Sequence, residues 1–91
     1  MLTKGNKKGV IRFTLKPSHS PKTVQLAGDF NNWKPIPMRR DANRAFTLDV
    51  PLGFGAHQYK FIIDQQWTPD PDNTLSIPNS YGTTNSVAQV D

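Results

Sequence analysis

The stretch His57-Gln58-Tyr59-Lys60-Phe61-Ile62-Ile63-Asp64-Gln65-Gln66-Trp67 decides the fold of this chain. Its first seven residues are β-forming and alternate between two faces, which predicts a strand. Tyr59, Phe61 and Ile63 share the face that we expect to enter the core, while Lys60 lies on the opposite face. Residues 57–63 are therefore the strand around which we arrange the rest of the chain.

A hairpin is predicted directly after this strand. Asp64-Gln65 is placed to reverse the chain in two residues, so that residue 63 pairs with 66 and 62 with 67. That register puts Trp67 on the same face as Ile62 and Lys60, away from the core. A large indole and a cation on the outer face of a sheet indicate a recognition surface.

Shorter runs of the same period-two kind recur along the chain and are separated by segments rich in Pro, Gly, Asp and Asn. Strands are predicted at residues 10–15, 23–28, 36–40, 45–50 and 87–90, with turns or loops at 29–35, 41–44 and 51–56 and a mostly extended loop at 67–79. Including the hairpin, about seven short strands predict an all-β, immunoglobulin-like sandwich. The expected core contains Phe13, Val24, Leu26, Phe46, Leu48, Tyr59 and Phe61.

Length and composition bound the class of protein. A chain of 91 residues is long enough for one domain, which we place at residues 9–91 after a flexible basic tail at 1–8. The chain has no cysteine and begins without an apolar run, so we predict a cytoplasmic protein with no membrane partner. The net charge is +4, with six of the eleven basic residues among the first 22, which favours a solvated tail over an anionic partner.

Both tryptophans are predicted to be accessible to a ligand. Trp33 follows Asn31-Asn32 in a turn, and the aromatic and aliphatic residues of the strands already fill the expected core. The ammonium of Lys60 and the amide of Asn85 place hydrogen-bonding groups near the rings. Flat rings beside amides and hydroxyls suit a sugar, whose C–H face stacks on indole. The alternatives are a core role for Trp33, a solvent-facing strand lysine and a turn cap at Asn85.

The sequence offers little for catalysis. His19 lies in a loop and His57 at a strand start, and no Ser-His-Asp order fits a compact site. Asp70 and Asp72 are close together, but Asp-Pro and Asp-Asn are typical of turns, and a calcium loop there would lack the EF-hand glycine and terminal Glu. We therefore predict a protein that is not an enzyme and has no cofactor and no metal site.

Several motifs, in order, resemble carbohydrate-binding module family 48, the glycogen- and starch-recognition modules of the AMP-activated protein kinase β-subunit and of the N-termini of isoamylases and branching enzymes. The resemblance covers about three-quarters of the chain, from the second predicted strand to the end. The matching segments are Val24-Gln25-Leu26-Ala27-Gly28-Asp29-Phe30-Asn31-Asn32-Trp33, His57-Gln58-Tyr59-Lys60-Phe61, Asp64-Gln65-Gln66-Trp67, Asp70-Pro71 and Tyr81-Gly82-Thr83-Thr84-Asn85-Ser86-Val87.

The resemblance implies an early-set immunoglobulin-like sandwich that binds α-1,4-linked glucans without catalysis. Trp33 and Trp67 match the family's stacking tryptophans, and Lys60 matches its hydroxyl-binding lysine. Asn85 matches the asparagine that bonds the glucose diol, with Thr83 nearby. Tyr81 stands where the kinase modules often have a leucine that pierces a cyclic oligosaccharide. Two departures are Gln65 in place of the usual hairpin glycine and a loop at 51–56 about two residues longer.

Three function classes are compared. The first is a glucan-binding module, with a glucan-active enzyme or a kinase subunit as a further partner. The second is a structural or protein-docking sandwich without sugar binding, and retention of both tryptophans, Lys60 and Asn85 argues against it. The third is single-stranded nucleic-acid binding, which needs cations among the aromatics. Because the basic residues crowd the N-terminus instead, we expect no nucleic-acid partner.

Overall fold

The structure is a computed structural model that describes residues 2–4, 9–17, 21–41 and 45–90. These residues form two antiparallel sheets and a single turn of 3-10 helix at Asp29–Asn31. The strands are β1 (Leu2–Lys4), β2 (Val10–Leu15), β3 (Val24–Gly28), β4 (Ile36–Pro37), β5 (Arg39–Arg40), β6 (Phe46–Pro51), β7 (Gly55–Ile63), β8 (Gln66–Thr68), β9 (Ser76–Pro78) and β10 (Thr84–Val90). The predicted all-β sandwich is confirmed.

The two sheets differ in size and in role. One has four strands in the order β1-β2-β6-β5, and the other has six, with β4-β3-β7-β10-β9 in order and β8 also paired with β7. Residues from both sheets meet in one core, so each sheet has an inner face and an outer face. In the part of the chain that the structure describes, no helix is long and apolar enough to cross a membrane.

Strand β7 is the centre of the larger sheet. Along one edge it pairs with β3, and along the other it pairs first with β10 and then with β8. The predicted hairpin register is confirmed, since Ile62 pairs with Trp67 and Ile63 with Gln66. Asp64 and Gln65 take φ values of 48° and 72°, as the primed two-residue turns of hairpins require. Gln65 therefore occupies a left-handed position without being glycine.

The core is built on three aromatic rings from facing sheets. Phe13, Tyr59 and Phe61 are fully buried, with ring centroids 4.9 Å apart for Phe13 and Tyr59 and 5.9 Å apart for Tyr59 and Phe61. The predicted core residues are buried except Leu48, which is half-buried and packs at the margin. The buried cluster also contains Leu15, Met38, Val50, Leu52 and Ala88.

Two predictions of secondary structure need correction. The predicted strand at residues 36–40 divides at the buried Met38, so that β4 joins the larger sheet and β5 the smaller one. Met38 N donates to the carbonyl of Val24 at 2.9 Å where the chain crosses between sheets. Within the predicted flexible tail, Leu2–Lys4 form β1 against β2, because Leu2 packs on the core. Residues 1 and 5–8 of that tail, His19 and residues 42–44 of the predicted turn lie outside the described residues.

The predicted loop at 67–79 contains more order than expected. It includes most of β8 and all of β9, and a buried polar cluster fixes the segment between them. The Tyr59 hydroxyl donates to Asp70 Oδ2 at 2.7 Å and accepts from Asn73 Nδ2 at 2.9 Å. Asp70 N in turn donates to Ser86 Oγ at 2.8 Å. This cluster ties the loop to β7 and β10.

Candidate functional site

A cavity of about 640 Å³ opens on the outer face of the larger sheet. Its volume lies within the range usual for small-molecule sites. The cavity brings together all six predicted site residues, from two strands, a hairpin and two loops. Its lining consists of Trp33, Gln58, Lys60, Trp67, Asn79, Ser80, Tyr81, Thr83 and Asn85.

Trp33 reaches the cavity through an unusual backbone turn. It follows the 3-10 turn, and both Asn32 and Trp33 are left-handed, with φ values of 59° and 60°. The side chain of Asn31 holds this turn, because its Oδ1 accepts from Gly28 N at 3.1 Å and its Nδ2 donates to the Lys34 carbonyl at 2.7 Å. The αL geometry expected of adjacent asparagines is present at Asn32, whereas at Trp33 it was not expected.

Glycine is required at the start of the same turn. A Cβ atom on Gly28 would lie 2.6 Å from the carbonyl oxygen of Gln58 and closer still to the Phe30 ring. The Gly28 carbonyl accepts from Trp33 N at 2.8 Å. Asp29 Oδ2 accepts from the backbone N–H of Gln58 at 2.9 Å, which fastens the turn to β7. The sequence Gly28-Asp29 therefore sets where Trp33 stands relative to the sheet.

The two tryptophans are neighbours in the lining of the cavity. Their ring centroids are 6.4 Å apart and the planes are inclined at 50°. Trp67 is 49% exposed on β8, and Trp33 is half-buried. Two indoles inclined in this way form a bent apolar surface, a shape that fits a curved chain better than a flat one.

Lys60 lies deeper than the sequence suggested. It was expected on an exposed platform with the tryptophans, but only 7% of the residue is accessible. Its Nζ donates to Thr83 Oγ1 at 2.9 Å, and the loop before β10 covers it. The ammonium has three N–H donors, so it keeps donors for a ligand in addition to the one given to Thr83. The site is therefore a cavity with a cationic floor and not an open platform.

Asn79 organises the loop that covers the lysine. Its Oδ1 accepts from the backbone N–H groups of Tyr81 at 2.9 Å and Thr83 at 3.2 Å. Its Nδ2 donates to Thr83 Oγ1 at 2.7 Å and to Asn85 Oδ1 at 2.9 Å. Sequence reasoning missed Asn79, although Asn followed by Ser-Tyr-Gly is a recognisable Asx-turn signal. Gln58 and Ser80 were also missed as cavity-lining residues.

Asn85 and Tyr81 complete the cavity at its floor and its rim. Asn85 is buried, and its Nδ2 donates to Gln58 Oε1 at 2.9 Å, so it is not a turn cap. Tyr81 is 89% exposed and projects from the loop next to Gly82, whose φ of 80° allows the tight turn. The floor of the cavity is thus polar, and its rim carries a third aromatic ring.

The described residues do not assemble a catalytic or metal centre at this cavity. Asp70 and Asp72, the pair considered for calcium, form a turn. Asp70 is buried, and its Oδ1 accepts from Asp72 N at 2.9 Å. Across the described ranges, no group of three or more His, Cys, Asp or Glu side chains is placed to hold a metal ion. What the cavity offers is aromatic faces and hydrogen-bonding groups.

Residues 11–91 match the family described as the glycogen recognition site of AMP-activated protein kinase. The chain belongs to this family. The resemblance inferred from the motifs is confirmed, and the glycogen-recognition domain is a non-catalytic carbohydrate-binding module.

Relatives named as kinase subunits cover most of the glycogen-recognition domain. The pig AMP-activated protein kinase subunit beta-1 (Sus scrofa) is 44% identical over 69 residues, which are 76% of this chain and 55% of the pig sequence. The human subunit (Homo sapiens) has the same identity over 25% of its length. The yeast signal transduction protein MDG1 (Saccharomyces cerevisiae) is 35% identical over 71 residues and 19% of its length. The chain spans only part of each of these proteins.

Solved structures of amylases contain the same fold. A maltogenic amylase from S. marinus superposes with a TM-score of 0.75 over 90% of this chain and 13% of the amylase, at 22% identity. A putative alpha amylase from Salmonella typhimurium gives a TM-score of 0.74 over 96% of this chain and 14% of that protein, at 23% identity. At this level of identity the likeness shows the fold alone, and this chain matches only a small part of each amylase.

Proposed function

We propose that the glycogen-recognition domain binds an α-1,4-linked glucan in the cavity, with sugar rings stacked on Trp33 and Trp67. The observation that carries this proposal is the pair of tilted indoles, 6.4 Å apart, in the same cavity as the ammonium of Lys60. An α-1,4-glucan curves along its length, and each indole plane can meet the C–H face of a different glucose unit. Glycogen, starch and maltooligosaccharides share this geometry.

The polar groups have separate roles in the proposal. Lys60 Nζ and the amide of Asn85 bond sugar hydroxyls at the floor of the cavity. Thr83 accepts from both Lys60 and Asn79, so it positions the lysine and lies within reach of the same hydroxyls. Tyr81 stacks from the rim on a further glucose unit. The exposure of its ring, at 89%, supports a ligand contact over a packing role.

The affinity is expected to be modest. Two or three stacking contacts and a few hydrogen bonds to neutral hydroxyls, in a cavity open to water, give dissociation constants in the μM to mM range, roughly −4 to −8 kcal/mol. The family's non-catalytic function implies no chemistry on the glucan. Purified domain incubated with glycogen should release no reducing sugar above the level of a heat-denatured sample.

Titration with maltoheptaose, followed by tryptophan fluorescence and calorimetry, tests the binding site. Trp33→Ala and Trp67→Ala should each weaken binding at least tenfold and leave the fold intact, because neither ring is part of the buried core. Phe54→Ala is a matched control, since Phe54 is 81% exposed and lies outside the cavity. Glucan binding by both tryptophan variants at the parent affinity would contradict the proposal.

A second proposal concerns the protein context. The relatives named as kinase subunits support a kinase complex as partner, and the amylase structures support a glucan-active enzyme as the alternative. We place the protein in the cytoplasm as part of the same proposal. Cell fractionation checks the location. Mass spectrometry of the full-length protein purified from its own cells checks the protein context. A stoichiometric protein kinase favours the first context, and an amylase-type catalytic region in the same chain favours the second.

A further inference from the structure

Three carboxamide side chains form a chain of hydrogen bonds across the floor of the cavity. Asn79 Nδ2 donates to Asn85 Oδ1 at 2.9 Å, and Asn85 Nδ2 donates to Gln58 Oε1 at 2.9 Å. The three residues come from different elements, namely the loop after β9, strand β10 and strand β7. All three line the cavity. We call this set the amide relay.

The direction of the amide relay is fixed at its loop end. Asn79 Oδ1 accepts from two backbone N–H groups, those of Tyr81 and Thr83. A backbone N–H can only donate, so the oxygen of Asn79 must face the loop and its NH2 must face Asn85. Asn85 must then turn its oxygen towards Asn79 and its NH2 towards Gln58. The oxygen of Gln58 consequently faces Asn85, and no amide of the three can flip alone without placing two like groups together.

Gln58 therefore keeps both hydrogens of its NH2 group for a ligand. The hydrogen bonds among the described residues engage the Oε1 of its carboxamide, and none engages its Nε2. Lys60 is two residues further along β7 on the same face, about 6.5–7 Å away along the strand. An ammonium, like an NH2 group, only donates. Strand β7 thus presents two neighbouring donors to the cavity.

We propose that Gln58 is a further ligand-binding residue and that Asn79 is a positioning residue that sets the polarity of the site. Through the amide relay, two backbone N–H groups of a loop decide that Gln58, on another strand, turns the NH2 end of its carboxamide to the ligand. The chemistry selected is a pair of ligand oxygens that accept hydrogen bonds at Gln58 and Lys60, as neighbouring hydroxyl oxygens of a glucan do. The inference rests on the proposed function of the cavity.

Gln58→Glu tests the donor directly. The carboxylate keeps an oxygen for Asn85 Nδ2 but has no hydrogen to give a ligand, so maltoheptaose should bind at least tenfold more weakly at pH 7. Gln89→Glu is the matched control, because it makes the same change in charge outside the cavity. Gln89 is exposed and lies on the face of β10 that also carries Asn85. Parent affinity in Gln58→Glu would overturn the assignment of Gln58.

Asn79→Asp tests the direction of the relay. The new carboxylate still accepts from Tyr81 N and Thr83 N, but it cannot donate to Asn85, so the relay must reverse and Gln58 must present its oxygen. Binding should weaken at least tenfold, while the backbone amide signals of Tyr81 and Thr83 in NMR spectra keep the pattern of an ordered loop. In a Gln58→Met background, which has no amide to turn, the same substitution should cost at least threefold less.

The outcomes separate the two proposals. Equal losses for Asn79→Asp in both backgrounds would mean that Asn79 only shapes the loop, and that result overturns its positioning role towards Gln58. If the parent binds maltoheptaose and the tryptophan variants do not, while the Gln58 and Asn79 variants bind like the parent, the amide relay is wrong and the proposed function stands. If the parent itself does not bind, the proposed function fails first.

Discussion

At the scale of single residues, Trp33 shows a conflict between stability and recognition. A non-glycine residue in the left-handed region is disfavoured by roughly 1–2 kcal/mol. Trp33 occupies that region at φ 60°, directly after Asn32 at 59°, and the bonds of Asn31 hold the turn in place. Strain of this kind persists where several surrounding contacts hold the backbone in place, and it concentrates at functional sites. The turn aims the indole into the cavity at the expense of local stability.

The strained backbone at Trp33 predicts that a glycine variant is more stable than an alanine variant, which is the reverse of the usual order. Both Trp33→Gly and Trp33→Ala remove the ring and should lose glucan binding alike. Glycine accepts a positive φ and alanine does not, so Trp33→Gly should be more stable than Trp33→Ala by about 1 kcal/mol. Urea denaturation of the two variants measures the difference. An alanine variant that is the more stable of the two would show that the left-handed backbone of Trp33 is not strained.

Lys60 illustrates how a sequence pattern can give the correct face and the wrong depth. Alternation correctly placed its side chain on the outer face of β7. The covering loop was not predictable by alternation, because it depends on the Asx turn of Asn79 and on the pairing of β9 with β10. Burial removes water from the ammonium, and its bond to Thr83 compensates part of that loss. A lysine held in this way is oriented before a ligand arrives.

At the scale of elements, what could be predicted followed from local patterns. The hairpin register followed from alternation and the position of Asp64-Gln65, and β2, β3 and β6 followed from period-two runs. The crossing of the chain at Met38 could not be found this way, because Ile36 and Arg40 fit one continuous strand as well as two strands in different sheets. All six site residues that line the cavity could be named from the sequence and its resemblance. The amide relay could not, because it depends on distances across three elements.

The polar cluster under the loop at 69–75 gives an element-scale prediction. Burial raises the pKa of the Tyr59 hydroxyl above its ordinary value of 10.0. Unfolded Tyr59 ionises near pH 10 while the folded hydroxyl stays protonated, so its contribution is present below that pH and is lost as pH rises further. Tyr59→Phe should lower the unfolding free energy by about 1–3 kcal/mol at pH 7, since Asp70 and Asn73 lose a partner.

The pH dependence provides the sharper check on that cluster. Between pH 9 and pH 11 the stability of Tyr59→Phe should fall less steeply than that of the parent, because the variant lacks the buried phenol. Tyr81→Phe is the control: Tyr81 is 89% exposed and lies outside the buried cluster, so its replacement should leave the slope unchanged. Denaturation curves at each pH give the slopes, and identical slopes for the parent and Tyr59→Phe would contradict a buried, protonated Tyr59.

At the scale of the whole molecule, the charges are separated from the recognition surface. The cavity lies on the outer face of the larger sheet, and among the described residues Lys60 is the one charged residue in its lining. Arginines of the smaller sheet lie on the other side of the sandwich. Arg12 is paired with Asp49 at 2.8 Å, and Arg40 lies over the Phe46 ring at 5.7 Å. Among the described residues, positive charge is therefore not concentrated at the cavity.

This separation predicts how binding responds to salt. In the proposed complex Lys60 donates to neutral hydroxyls, so glucan binding should release no counterions. The dissociation constant for maltoheptaose should then change by less than about twofold between 50 and 500 mM NaCl. A nucleic-acid site would lose affinity steeply over the same range, because each neutralised phosphate releases counterions. Calorimetry at the two salt concentrations measures the first quantity, and competition by oligo-dT against bound maltoheptaose at 50 mM NaCl measures the second. Displacement of the sugar by oligo-dT, together with a steep salt dependence, would show that the aromatic rings of the cavity serve bases and not glucose units.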